Sequence, residues 1–432
     1  MRRRPLWLLV FAFGLALAPA TVPDLAAQSL RVRKNIDVLM LDSQAYGNFL
    51  YALQKIKELP PSDKRSFAYL ARLHNDRRVG PCEHGSELFL PWHRSVLLDF
   101  ENALRAVDPP RTANVTLPYW DWSKPPSGKR FPRVAEDPAN PLYRAGRDGS
   151  DSLPLPEELR DILRLPTFAE FGGEKDGGYG QLEAGPHNYM HSCYVGGDMR
   201  SDTTAAVDPL FWMFHAYIDL LWAEWQKTHS GQPVCLDCKL RGMPRKVEDV
   251  LDTKRQLSYV YEYGGTRSVP LVTASQLTAF KSSPRETGPD SPLSVPIAVP
   301  APDFVSASLR FEDVETPATS YRVDLYIHPA EVTPHPGDET FERDYHAGYF
   351  AIWGSGGGQE GGEEGDTHRG HHPKAAGLSV DVSAALARAA SKGGGEWRLT
   401  LVVRSCLSHT DVALKLGSEV RFRSATLQLG ED

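Results

Sequence analysis

Phe89-Leu90-Pro91-Trp92-His93-Arg94-Ser95-Val96-Leu97-Leu98-Asp99-Phe100-Glu101-Asn102-Ala103-Leu104-Arg105-Ala106-Val107 carries apolar residues at three- and four-residue steps, the period of a helix with one buried face. His93 shares a stripe with Val96, Leu97, Phe100, Leu104 and Val107, so its ring is expected to point into a core. A buried imidazole needs a partner there. The same period recurs through Leu39, Phe49, Leu50, Leu53 and Ile56, and again from Pro209 to Gln226. The chain from Ile36 to Gln226 therefore reads as a mainly helical core. Long connections rich in Pro and Gly, Pro125 to Leu153 and Gly172 to Gly180, separate its helices and are expected to border a site.

Beyond this core the period changes. Residues 282 to 302 hold six prolines and little periodicity, so 276–302 is expected to be a linker. After it, Tyr321, Val323, Leu325 and Ile327 alternate with Arg322, Asp324, Tyr326 and His328, and Trp397, Leu399, Leu401 and Val403 alternate likewise. About seven such strands predict an all-β sandwich over 303–432, interrupted by a Gly/Glu/His-rich insert from Gly354 to Gly377.

Composition narrows the function classes. The 432 residues include 48 Lys and Arg against 55 Asp and Glu, a net charge of -7, with no long basic run, so no footprint for nucleic acid is visible. The longest apolar run, Leu6 to Ala18, falls short of the roughly 20 residues a membrane-spanning helix needs. It follows Arg2-Arg3-Arg4 and ends in Ala18-Pro19-Ala20, which predicts a signal peptide over 1–27, with cleavage after Ala20 or Ala27 and either the general or the twin-arginine route. The protein is thus expected to be exported. Its five cysteines are odd in number, so at least one is expected to be free or used in other chemistry, with Cys82 the candidate, while Cys235-Leu236-Asp237-Cys238 is expected to close a disulfide. Cys193 and Cys406 receive no role.

Six of the 14 histidines form two groups. His74 ends Phe67-Ala68-Tyr69-Leu70-Ala71-Arg72-Leu73, His84 lies in the loop Cys82-Glu83-His84-Gly85, and His93 lies on the helix above. His187 and His191, four apart, share one helix face, and His215 follows on the helix bearing Phe211, Ile218 and Trp222. Two sites of three imidazoles each suit zinc, copper, iron or nickel rather than magnesium or calcium.

The residues flanking these histidines carry a resemblance. Phe89-Leu90-Pro91-Trp92-His93-Arg94 with Leu98-Asp99-Phe100-Glu101 resembles the first copper motif of the type-3 copper proteins, the family of tyrosinases, catechol oxidases, polyphenol oxidases and haemocyanins. Gly185-Pro186-His187-Asn188-Tyr189-Met190-His191, Gly196-Gly197-Asp198-Met199 and Asp208-Pro209-Leu210-Phe211-Trp212 up to His215 resemble the second. The resemblance spans Arg33 to Tyr263, where Leu257-Ser258-Tyr259-Val260-Tyr261-Glu262 is similar to the family's closing tyrosine motif, and continues more weakly into the sandwich, which resembles the C-terminal domain of plant-type polyphenol oxidases.

The resemblance implies a four-helix bundle over 28–275 that holds two copper ions, copper A on His74, His84 and His93 and copper B on His187, His191 and His215. The family often has a His pair where this chain has Phe214-His215, so Phe214 replaces one imidazole. Cys82-Glu83-His84 is similar to the Cys-x-His in which fungal tyrosinases and molluscan haemocyanins form a thioether. Glu183 and Asn188 match the Glu and Asn that hold a water credited with deprotonating monophenols. Thr203, Thr204, Ala205 and Ala206 stand where some members place a bulky Phe, which implies an accessible copper pair. Phe211 and Trp212 are expected near the ligands, and Asp219 either orients a ring or closes a polar contact.

The activity implied is O2-dependent ortho-hydroxylation of monophenols and oxidation of o-diphenols to o-quinones. Two alternatives stay open: a catechol or o-aminophenol oxidase without hydroxylation, and an O2 carrier. The sandwich is further expected to act as a lid with a side chain in the substrate entrance, releasable by cleavage near residue 290.

Overall fold

The computed structural model describes residues 30–430 apart from 77–81, 124–130, 150–152, 155, 234, 263–276, 279–292, 301–303, 305, 316–319, 355–374, 394, 407–421 and 423. The expected signal segment and most of the Gly354–Gly377 insert lie outside the described residues. Among the described residues no helix is long and apolar enough to cross a membrane.

The helical half is organised by α1 (Ser43–Glu58), α2 (Phe67–Asn75), α3 (Phe89–Ala106), α4 (residues 181–195) and α5 (Leu210–Trp225). The apolar stripe on α3 is fully inside, with Val96, Leu97 and Leu104 at 0% exposure, and α5 is buried almost all round. α4 departs from regular geometry. Its segments Glu183–His187 and Met190–Val195 are π-helical. Pro186 lacks an N–H and its ring crowds the carbonyl four residues back, and a wider turn relieves both.

The two ends of this half are tied together. β1 (Arg31–Arg33) pairs in parallel with β2 (Tyr259–Tyr261), Arg33 opposite Tyr261. Beneath the pair, Asp219 accepts from Arg94 Nε at 2.5 Å and from the hydroxyls of Tyr259 and Tyr261 at 2.6 Å, with Arg33 Nη1 at 3.4 Å. Arg33 Nε also donates to Glu101 at 2.8 Å. Asp219 therefore closes a buried polar cluster and orients no imidazole. Of the two roles expected for it, the structure selects the second.

The remainder is a sandwich of two four-stranded antiparallel sheets, ordered β3-β10-β5-β8 and β4-β9-β6-β7. Its strands are β3 (Leu277–Thr278), β4 (Leu293–Ile297), β5 (Ser306–Glu315), β6 (Tyr321–Pro329), β7 (His346–Ile352), β8 (Ala375–Asp381), β9 (Trp397–Ser405) and β10 (Ser424–Gly430). Leu309, Phe311, Val323, Leu325, Phe350 and Leu399 fill the space between the sheets. The other face of β6 is not left to solvent, because the helix Glu339–Tyr345 brings Phe341 onto Tyr326.

One boundary needs correction. The stretch 276–302, expected to be linker, contributes β3 to one sheet and β4 to the other. Leu293, Val295 and Ile297 do alternate, and Pro296 is tolerated because β4 is an edge strand whose missing donor breaks no ladder. The prolines obscured a period that was present. A cut near residue 290 would fall between two strands of the sandwich, and the connection between the halves is the sequence from Glu262 to Leu277.

β7 decides how the halves meet. From Tyr349 onward its residues alternate between two cores: Phe350 and Ile352 enter the sandwich, while Tyr349, Ala351 and then Trp353 pack against the helical half. Along the same seam Tyr179 N donates to Gly377 O at 2.7 Å.

Candidate metal centre

Each imidazole is presented by a defined element. α2 begins where the Ser66 hydroxyl accepts from Tyr69 N at 3.0 Å, and its last turn delivers His74. His84 precedes Gly85, whose φ of 60° turns the loop directly after the ring. His93 lies one turn into α3, His187 and His191 on α4, and His215 in the second turn of α5. All six are at 3% exposure or less.

The rings converge as two triads. Centroids lie 5.9 Å apart for His74 and His84, 5.2 Å for His84 and His93, and 5.7 Å for His74 and His93. In the second triad they lie 4.6, 5.0 and 5.4 Å apart, and one nitrogen from each of His187, His191 and His215 falls within 4.8 Å of the others. The triads touch: His93 and His215 stack at 4.3 Å and 5°, and His84 lies 5.5 Å from His187.

Five of the six rings have Nδ1 fixed by a neighbour. His74 Nδ1 meets Asn75 Oδ1 at 3.0 Å, His84 Nδ1 meets Glu183 Oε1 at 2.8 Å, and His93 Nδ1 donates to Phe89 O at 2.8 Å. His187 Nδ1 meets Asn188 Oδ1 at 2.9 Å and His191 Nδ1 meets Met199 O at 2.9 Å. A ring held through Nδ1 offers Nε2 to a metal. His215 Nδ1 is the exception, buried and without a hydrogen-bond partner.

The residues fit a metal pair. Nε2 of His93 and of His187 is buried with no hydrogen-bond partner, and Nε2 of His191 faces Nε2 of His215 at 3.2 Å. Orphaned buried nitrogens are costly unless something satisfies them. Burial, with the neighbouring histidines adding to it, holds His93, His187 and His215 well below the ordinary imidazole pKa. His191 is lowered to about 3, again chiefly by burial. Neutral imidazole is the form that binds metal.

The site residues expected from sequence take these places. Glu183, at 0% exposure, also accepts from Gly85 N at 3.0 Å, while Asn188 Nδ2 donates to Ala351 O of the sandwich at 3.0 Å. Burial pushes the Glu183 carboxyl well above its usual range, opposed by the Gly85 N–H. Cys82 is buried, outside both disulfides, with Sγ within 4.8 Å of ring nitrogens of His74 and His84. Phe211 lies 4.3 Å from His215 and 4.7 Å from His74, whereas Trp212 faces away and stacks on Phe100 at 3.9 Å. Phe214 fills space between Trp122, His187 and His191, at 5.0, 5.6 and 4.9 Å.

Three features were missed. Asn75 holds His74 as Asn188 holds His187, and the repeated His-Asn dipeptide was the available signal. Trp353, fully buried, stacks on His191 at 4.3 Å and 23° and lies 5.2 Å from His84, 6.0 Å from His187 and 6.4 Å from His74. Ala205 and Ala206 are themselves fully buried, and Trp353 of the sandwich lies against the rings. Finally, Cys193 and Cys406, given no role from the sequence, form a disulfide, whereas the bond between Cys235 and Cys238 is the one expected.

Known proteins place this arrangement. The model for the common central domain of tyrosinase matches residues 64–150 and 134–228. The tyrosinase of Streptomyces antibioticus is 33% identical over 245 residues, covering 47% of this chain and 86% of that protein. The chloroplastic polyphenol oxidase of Malus domestica is 28% identical over 301 residues, covering 55% of this chain and 49% of that one. The solved structure of latent apple tyrosinase superposes with a TM-score of 0.66 at 20% identity, covering 93% of this chain and 98% of that chain. The chain belongs to the tyrosinase family of type-3 copper proteins. It is a dinuclear copper oxidoreductase, with a helical catalytic half and a C-terminal β half.

Proposed function

We propose that this is an exported phenol oxidase that ortho-hydroxylates monophenols, oxidises o-diphenols to o-quinones, and is latent while its sandwich is closed. The observation that carries the reading is the convergence of six buried imidazoles beneath a single indole. His74, His84 and His93 hold copper A, and His187, His191 and His215 hold copper B. When bound, the copper pair supplies the redox chemistry with O2 as co-substrate.

The chain's own residues do the rest. Five Nδ1 contacts fix ring orientation before any metal arrives, so little reorganisation is needed on binding. Phe89, Phe211 and Phe214 line the imidazoles with apolar surface and keep water off them. Glu183 and Asn188 stand beside the rings of His84 and His187 and would hold a water that takes up the phenol proton, which ordinarily leaves near pKa 10. Cys82, whose Sγ lies within 4.8 Å of a His84 ring nitrogen, would join a ring carbon of His84 through a thioether, the S–H and C–H hydrogens passing to O2 as the oxidant. The Trp353 indole occupies the aromatic slot over His191 that a phenol ring would take, and the Asn188 amide is engaged by Ala351 until the sandwich leaves.

The test loads the full chain and Trp353→Gly with copper, counts copper per chain, and assays a simple phenol and its catechol under oxygen. The reading expects two coppers in both, with turnover of both substrates much faster in Trp353→Gly. Catechol turnover alone would reduce the protein to a catechol oxidase. Reversible O2 binding without turnover in either form would make it a carrier. A mass lower by two hydrogens in the peptide spanning Cys82 and His84 checks the thioether.

A further inference from the structure

The closed sandwich is held by more than surface contacts. Cys193 lies on α4 two residues after His191, and Cys406 directly follows β9, so their disulfide joins the two halves across 213 residues of sequence. It sits beside the plug. Trp353 Nε1 donates to Arg200 O at 2.5 Å, and Arg200 in turn donates through Nη2 to Cys406 O at 3.3 Å and through Nε to Ser192 O at 3.2 Å. The indole, the arginine and the disulfide therefore form one connected latch over copper B. Cys193 and Cys406 are 2% and 4% exposed, which shields the bond from thiols while the halves stay packed.

We propose that latency has two covalent locks in series, the backbone between Glu262 and Leu277 and the Cys193–Cys406 disulfide, and that opening requires both to be broken. This rests on the lid reading above and adds a condition to it. The physical reason is effective concentration. Cutting the backbone leaves the sandwich attached through sulfur, at an effective concentration on the order of millimolar, so any lid whose Kd lies below that value stays closed. Breaking the second lock converts the lid into a separate chain, which dilution removes. The chemistry is thiol–disulfide exchange with a dithiol. One dithiol sulfur attacks, the Cys193–Cys406 bond breaks, the dithiol closes to its own disulfide, and its two protons pass to the two cysteines. Two electrons move and the copper ions take no part. An exported enzyme would then remain inactive in an oxidising compartment even after proteolysis, and become active where proteolysis and thiols coincide.

The experiment places a specific protease site within 263–276 of the full copper-loaded chain. After cutting, the wild-type fragments should migrate together without reductant and separate with it. Catechol turnover of the cut, unreduced enzyme should stay within about twofold of the intact chain. Treatment with dithiothreitol, then its anaerobic removal with copper content verified, should raise turnover at least about tenfold, as expected for a lid closed nine-tenths of the time or more. Cut Cys406→Ser should reach the same rate without reductant, and a Cys235→Ala/Cys238→Ala chain should keep the thiol requirement. Should Cys406→Ser fail to fold, the reduced wild type carries the comparison. Full activity on cutting alone, with the Cys193–Cys406 bond shown intact by peptide mapping, overturns the second lock. Failure of the lid itself looks different: Cys406→Ser, freed of its sandwich fragment and holding both coppers, would then be no faster than the intact chain.

Discussion

The two triads are built to one plan but are supported differently. In each, a helix-borne histidine is followed by an asparagine that holds its Nδ1, His74 by Asn75 and His187 by Asn188. In each, one ring is tied to a backbone carbonyl, His93 to Phe89 and His191 to Met199. The third ring marks the difference: His84 is gripped by the Glu183 carboxylate, while Nδ1 of His215 has no partner. The Nδ1 contacts of His74, His84 and His93 thus come from their own half of the molecule. The copper B triad is looser and carries the sandwich, through Trp353 on His191, Ala351 on Asn188 and the disulfide at Cys193.

Removing a ligand tests the comparison most severely. His93→Ala and His187→Ala should each abolish phenol oxidation, with copper content falling to about one per chain, because the altered triad is left with two donors while the other keeps three. Substantial activity retained in either variant at one copper per chain would show that the centre does not act as a pair. The supporting residues come next. Glu183→Gln and Asn75→Ala should weaken copper A by about 10- to 100-fold, as loss of a residue orienting a ligand ring generally does. Asn188→Ala should weaken copper B comparably and also remove the bond to Ala351, so it alone should lower the lid's affinity for the catalytic half once both covalent links are broken. Chelator competition separates these outcomes, and a copper B unaffected by Asn188→Ala would remove the symmetry between the two asparagines.

The smallest expected effect lies in the sandwich. Burial works to raise the Asp324 pKa, but the hydrogen bond from His346 and the charges of Arg322 and Arg404 outweigh it and hold the group at about 2. A carboxylate lowered in the folded state adds stability above its unfolded value, near 4, and loses it as pH falls toward 2. The contribution at neutral pH is about 2 kcal/mol. Acid unfolding of the sandwich should therefore steepen between pH 4 and 2, and Asp324→Asn should flatten that step. Arg322 also lies over the Tyr189 and Tyr349 rings at the seam, so the same acid step should loosen the packing between the halves while both covalent links hold.

The histidines were legible because helical period and ligand chemistry both leave local marks, as at His93 on its stripe and at His187 and His191 four apart. Trp353 and the Cys193–Cys406 bond were not, because each joins residues more than a hundred positions apart in sequence. A hint was present in Tyr349, Phe350, Ala351, Ile352 and Trp353, whose apolar side chains on both faces of one strand mark it as buried twice over. Proline composition misled at β4, where an edge position accepts what a central strand would refuse. The π-helical winding of α4 likewise arises from one proline acting on the turn before it, which a fixed 3.6 period does not express.

The pairing of β1 with β2 has a consequence for how the catalytic half can be rewired. Arg31–Arg33 and Tyr259–Tyr261 lie side by side, so the native entrance and exit of that half are neighbours above the Asp219 cluster. A short peptide could join them and new termini be opened in a surface loop, giving a circularly permuted oxidase that contains all six imidazoles and has no covalent route back to its sandwich.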